Sequence, residues 1–273
     1  MPNIANTADS LATLLDANGS ISRFGDGELG TLFGMGQAFQ QYDESLVSRL
    51  TEVLESAGKN EPRHYVAVPY AMKSVVGLTP SSKRFWLIWT AQNRRKLSAL
   101  YNGSAHYLDS QISRFYINRA NREDSLRYLD AWRSLWSGKR ILVVEGSLTR
   151  FGVNNGLFDN CSAIFRVLCP AKNAWSSYEL IIDTVLQHAR SLNIDLVLAA
   201  LGLAATVLSF DLSKHGIRAL DVGNLDMEYE WLMSGSHKKV PVAGKYTHEA
   251  AGGSSVEDIN DEQYLQQIIA KID

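Results

Sequence analysis

From residue 122 to residue 223 the chain alternates between two hydrophobic periods. The runs "RILVVEG", "AIFRVLCP", "DLVLAALG" and "IRALDVG" are nearly continuous in apolar residues. Around them, in "REDSLRYLDAWRSLW", "SSYELIIDTVLQHARSL" and "AATVLSFDLSKHG", apolar positions recur three and four residues apart. Short apolar runs suit strands buried on both faces, and the wider spacing suits the helices that cover them. The alternation predicts βαβ units and a mainly parallel sheet flanked by helices.

The first half is less regular. "NTADSLATLLDANG" predicts an amphipathic helix with a polar start and a Gly stop, and "SISRF" a short strand. "DESLVSRLTEVLESAG" predicts a helix with Asp43 as its N-cap, "HYVAVPY" a strand, and "SSKRFWLIWTAQNRRKLSAL" a long helix rich in aromatics. At the far end "AGGSSVEDINDEQYLQQIIAKID" reads as a loop leading to a surface helix. No repeat or low-complexity linker divides the chain. Residues 1–273 are therefore read as a single Rossmann-like α/β domain, with 1–19 an N-terminal helix and 247–273 a C-terminal tail.

Composition removes several classes of function. Lys plus Arg total 27 against 29 Asp plus Glu, a net charge of −2 that gives no general pull toward nucleic acid. No apolar run approaches the ~20 residues that span a bilayer, which leaves peripheral association as the route to a membrane. "MPNIANTADS" lacks the basic start and apolar stretch of a signal peptide, so a cytoplasmic location is expected. Cys161 and Cys169 have no CxxC spacing and read as buried reduced thiols. The histidines show neither HxH nor HExxH spacing, and Ser147 is not in a G-x-S-x-G elbow, so zinc and serine-hydrolase chemistry are set aside.

In open parallel sheets ligands bind beyond the carboxyl ends of the strands. Four polar loops follow four apolar runs here. They carry Arg150 and Asn155, then Lys172 and Asn173, then Gly202 and Thr206 at the head of a helix, then Asp226, Glu228 and Glu230. Taken one at a time each has a bland reading: a tight βα turn, a solvated lysine, an exposed strand edge or helix start. Together they point to a polar small-molecule site with anionic parts.

The most specific stretch is "FGDGELG", residues 24–30, a literal G-x-G-x-x-G through Gly25, Gly27 and Gly30. Asp26 and Glu28 stand between the glycines. Each would oppose a bare pyrophosphate by on the order of 4 kcal/mol at ~4 Å. No ribose-binding acid ends a strand ~20 residues on, as a dinucleotide site requires. A divalent cation reverses the sign, because carboxylate and phosphate oxygens can share it. A purely structural use fits the same residues, with Asp26 capping the next helix and Arg23 paired to Glu28. Under either reading the glycines favour a tight turn.

"SRFGDGELG" resembles the N-terminal motif of the bacterial GT-D-type glycosyltransferases, whose Asp-x-Glu lies here at Asp26 and Glu28. The likeness continues through "ILVVEGSLTRFGVNNGLFDN", "CPAKNAWSSYELII", "ALGLAATVLSFDLSKHGIRALDVGNLDMEYEW" and "KVPVAGKY", covering most of residues 20–246 in order. The resemblance implies a GT-D-type Rossmann-like domain that moves a sugar, glucose first, from a UDP-sugar to a glycan, glycolipid or glycoprotein acceptor in surface-polysaccharide or glycoprotein assembly. It implies Mn²⁺ or Mg²⁺ at Asp26 and Glu28, with Arg23, Gly25 and Gly27 beside the diphosphate. Arg150, Asn155, Lys172, Asn173, Gly202 and Thr206 complete the expected nucleotide site. Asp226, then Glu228, is the expected catalytic base, because these acids follow a strand end and are not committed to the metal. Two departures stand out: Asn224 where His is expected, and Asn154 where Gly is expected. Another nucleotide-dependent Rossmann-like enzyme, or a non-catalytic nucleotide- or glycan-binding module, is the alternative.

Overall fold

The computed structural model describes residues 2–59, 63–101 and 103–273. Its strands are β1 (Asn3–Ile4), β2 (Ser20–Arg23), β3 (His64–Val68), β4 (His106–Asp109), β5 (Arg140–Gly146), β6 (Ala163–Cys169), β7 (Leu196–Ala200), β8 (Ala219–Asp221) and β9 (Ile268–Lys271). Its helices are α1 (Thr7–Ala17), α2 (Asp26–Leu32), α3 (Glu44–Glu55), α4 (Pro80–Leu100), α5 (Ser125–Trp136), α6 (Tyr178–Ser191), α7 (Leu203–Lys214), α8 (Leu225–Met233) and α9 (Glu262–Gln267). The strands form one sheet in the order β1-β4-β3-β2-β8-β7-β5-β6-β9, and every pairing is parallel.

Both faces are covered, as the continuous apolar strands require. One face packs against α2, α3, α4, α6 and α7 through residues such as Leu29, Leu46, Trp86, Ile181 and Val207. The other packs against α1, α5 and α8 through Leu14, Trp132, Trp136 and Trp231. Helix ends follow local chemistry. Asp43 caps α3 by accepting the amides of Ser45 and Leu46, and Asn6 caps α1 through Asp9.

The short strand "SISRF" lies between β3 and β8, well inside the sheet. Its two serines are buried without penalty because their hydroxyls are used. Ser22 donates to the Thr206 carbonyl at 2.6 Å, and Ser20 accepts the Ala219 amide. Three strands escape the sequence reading. β1 has only two residues and β4 only four, both below the length at which alternation is visible. At the C-terminus the expected surface helix is shorter than the pattern suggests. α9 ends at Gln267, and the β-branched pair Ile268–Ile269 opens β9, which pairs with β6 at the sheet edge. Among the described residues no helix is long and apolar enough to cross a membrane.

Candidate active site

The carboxyl ends of β2, β4, β5, β6, β7 and β8 open on one cavity of about 580 Å³, within the range of small-molecule sites. The first turn of α4 and the segment 239–249 close its sides. The acidic turn lies within it. Phe24 is fully buried and anchors the end of β2, Gly25 is the N-cap of α2, and Asp26 is the first residue of that helix.

Glu28, in the same first turn, reaches back so that Oε2 accepts the Gly25 amide at 2.7 Å. A Cβ at residue 25 would stand 3.1 Å from that oxygen, so a glycine clears the path. Burial, reinforced by nearby Asp221, pushes the Glu28 carboxyl up to about 7. Asp26 is exposed to the cavity and has no hydrogen-bond or ion-pair partner among the described residues. The structural reading thus comes out rearranged: the capping acid is Glu28, and Arg23 pairs elsewhere. The expected tight turn is absent as well. Gly27 and Gly30 lie inside α2, and none of the three glycines has positive φ.

Arg23 is held by protein. Its Nε donates to the Asp221 carbonyl at 2.7 Å, and Nη2 meets Asp221 Oδ1 at 3.1 Å. Nη1 donates to the Ser110 carbonyl and the Ser113 hydroxyl. Gly223, at φ +50°, makes this possible, since a Cβ there would fall 1.9 Å from Arg23 Nη2. Thr206 lies beneath the pair, fully buried, with its hydroxyl 3.1 Å from both the Arg23 carbonyl and Asp221 Oδ2.

The other expected residues divide into two groups. Lys172, Asn173 and Gly202 join Arg23, Gly25, Asp26, Gly27 and Glu28 in the cavity wall. Lys172 is exposed there, and Asn173 uses its side-chain oxygen to accept the Gln41 amide at 2.8 Å. Arg150, Asn155, Thr206, Asp226 and Glu228 are not in the wall. Arg150 donates to the Gly244 carbonyl at 2.7 Å. Asn155 donates to Asp226 and Glu230, and both acids also bind Lys245, at 2.7 and 2.8 Å. Glu228 is fully buried and accepts the amides of Tyr116 and Ile117. An acceptor hydroxyl entering the cavity does not meet Asp226 or Glu228 in this arrangement. Sequence spacing put them after a strand end; α8 then turned them inward, where Lys245 pairs with Asp226, and Glu228 takes two backbone amides on Oε2 with Arg114 Nη1 3.6 Å from Oε1.

In their place the segment 239–249 supplies wall residues that no periodicity marked. Glu249 accepts both terminal nitrogens of Arg114, pairs with Lys239 at 2.5 Å, and accepts the Asn224 amide group. Burial alone would raise its pKa, but Arg114 and Lys239 outweigh that and hold the carboxyl far below the usual range. The departure Asn224 is therefore part of the wall. His248 packs against Phe39, ring centroids 5.3 Å apart, and makes no hydrogen bond among the described residues. Burial lowers its pKa below the ordinary histidine value.

Known proteins place this architecture. The family model described as "Glycosyltransferase GT-D fold" matches residues 21–250. The chain is 33% identical over 270 residues to a probable glycosyl transferase Gly of Streptococcus gordonii, covering 99% of this chain and 39% of that protein. It is 32% identical over 264 residues to the glycosyltransferase GlyD of Streptococcus pneumoniae serotype 4, covering 97% of this chain and 32% of the relative. The chain thus spans about a third of the length of these relatives. A solved structure described as a new glycosyltransferase (DUF1792) from Streptococcus sanguinis superposes with a TM-score of 0.92 at 32% identity, with both chains fully covered. Another, described as showing that DUF1792 has a distinct glycosyltransferase fold, gives 0.92 at 31% identity, covering 100% of this chain and 96% of that one. The chain belongs to the GT-D-fold family of glycosyltransferases.

Proposed function

We propose that this chain transfers a sugar, glucose being the first choice, from a UDP-sugar to a glycan, glycolipid or glycoprotein acceptor, with a divalent cation at the head of α2. The observation that carries this reading is the Asp26 carboxylate, unpaired among the described residues, facing the cavity two residues before Glu28. The donor set fits a hard cation such as Mg²⁺ or Mn²⁺, which takes one or two carboxylates and completes its shell with phosphate oxygens and water. Among the described residues no group of three or more His, Cys, Asp or Glu forms a self-sufficient metal cage, which agrees with an ion shared with substrate. Such an ion supplies neutralisation of the charge that develops on a departing diphosphate.

This chain's own residues do the remaining work. Lys172 offers a free cation in the wall, and Gly202 heads α7, whose positive dipole end favours phosphate. The Arg23–Asp221 pair fixes the end of β2 and hence the position of Asp26. Among the wall groups, the His248 imidazole makes no hydrogen bond among the described residues and can accept a hydroxyl proton. The base role is therefore assigned to it rather than to Asp226 or Glu228, which are engaged within the fold. A panel of nucleotide sugars with Mn²⁺, scored by UDP release, tests the reading. Release from UDP-sugars that requires Mn²⁺ supports it; metal-free binding of NAD or S-adenosylmethionine with no UDP release overturns it.

A further inference from the structure

α4 is out of character with the rest of the chain. It carries Lys83, Arg84, Arg94, Arg95 and Lys96 and no acidic residue, in a protein of net charge −2. None of these five cations is ion-paired with a carboxylate among the described residues. The helix is 21 residues long, about 30 Å, yet only Trp86 and Leu97 are buried. Phe85, Leu87 and Ile88 are 44%, 58% and 46% exposed. At 100° per residue Arg84, Ile88, Ala91 and Arg95 fall on the side away from Trp86 and Leu97, with Phe85, Leu87 and Lys96 on its flanks. Phe85, Leu87 and Ile88 are thus exposed together in the first half of the helix, beside Arg84, and Arg94, Arg95 and Lys96 are exposed together in the second.

We propose that this face docks the protein on an anionic phospholipid surface. Charge decides the occupant. A second copy seated face to face would set Arg84, Arg95 and Lys96, none of them ion-paired among the described residues, against the same cations. A bilayer interface takes both halves of the face: Leu87, Ile88 and Phe85 enter the headgroup–acyl boundary, and the basic side chains reach lipid phosphates. The position also has a consequence for the cavity. Ser82, Phe85 and Trp86 lie in its wall, so docking along α4 holds the cavity beside the lipid surface. The inference does not depend on which sugar is transferred, or on the metal.

Co-sedimentation of the full chain with vesicles tests it. The protein should pellet with phosphatidylcholine vesicles containing phosphatidylserine, and stay in solution with phosphatidylcholine alone or in high salt. Replacing Arg94, Arg95 and Lys96 by Gln should weaken binding by about two orders of magnitude. Leu87→Ser with Ile88→Ser should weaken it too, although the charge is unchanged. All five side chains are exposed, so UDP binding, measured in parallel, reports that the variants are folded. No pelleting of the wild type with anionic vesicles, or equal pelleting of the wild type and both variants, overturns the proposal. So does concentration-dependent self-association of the free chain that the Leu87→Ser, Ile88→Ser variant abolishes.

Discussion

Arg23 and Asp221 join the carboxyl ends of two adjacent strands: the guanidinium of β2 meets both the side chain and the backbone carbonyl of Asp221 on β8, at 3.1 and 2.7 Å. The pair lies directly under the acidic turn, with side chains only 13% and 4% exposed. Removing one partner leaves a buried charge uncompensated. Arg23→Ala should therefore cost about 3–5 kcal/mol in urea unfolding, far more than a surface change. A loss below about 1 kcal/mol would show that the pair does not organise this end of the sheet.

Gly223→Ala tests the same joint from the other side. The new Cβ would fall 1.9 Å from Arg23 Nη2, at a residue with φ +50°. Strain and the displaced guanidinium together should destabilise the fold by about 2 kcal/mol or more, readable as a lower denaturation midpoint.

His64 predicts a pH dependence. It is partly buried beside Phe210, with Nε2 2.9 Å from the Ser22 hydroxyl, and loss of solvent around the ring, aided by Lys214, drives its pKa from 6.5 to about 3. Between those values the unfolded chain binds a proton that the folded chain refuses, so stability falls as pH drops through this window. Acidifying from pH 7 to pH 5 should remove about 2 kcal/mol through this group. His64→Gln should show a correspondingly flatter acid limb in urea titrations at the two pH values. Parallel limbs in wild type and variant would contradict the assignment.

Turnover should separate His248 from Asp226. His248→Gln should lower kcat about 10²-fold or more and flatten its acid limb, with UDP affinity unchanged. Asp226→Ala should act on stability instead, by about 1–3 kcal/mol, because the buried Lys245 and Asn155 each lose one partner and keep Glu230. An Asp226→Asn enzyme that keeps its stability but loses kcat would return the base role to Asp226.

The central strands and the helices around them were legible because their pattern is local. "RILVVEG" is β5 to the residue, and "AIFRVLCP" and "DLVLAALG" overrun β6 and β7 by no more than two residues at either end. The place of the acidic turn in the cavity wall was legible, since Asp26 and Glu28 follow directly on the end of a strand. What stayed hidden was built from distant residues. Glu249 meets Arg114 across 135 positions, and Arg23 meets Asp221 across 198. Periodicity can place a residue such as Arg23 or Asp221 on a strand, but it does not announce the partner. α8 misled for a related reason: alternate acids after a strand look solvent-facing until the Lys245 ammonium, from a loop with no pattern, buries Asp226.

The two acids of the turn should respond differently. Glu28→Ala removes the cap on Gly25 and should cost about 1 kcal/mol of stability, which Glu28→Gln largely retains. Asp26→Asn, at an exposed and unpaired position, should leave stability within about 0.5 kcal/mol.

That harmless fold makes Asp26→Asn the sharpest probe of donor binding. Calorimetry of UDP with and without Mn²⁺, on wild type and Asp26→Asn, isolates the part of the affinity that the ion provides. Wild type should bind UDP at least tenfold more tightly with Mn²⁺, and Asp26→Asn should lose that gain while keeping its metal-free affinity. A gain from Mn²⁺ that survives intact in Asp26→Asn would mean the ion is held elsewhere, and the acidic turn would not be the cation's seat.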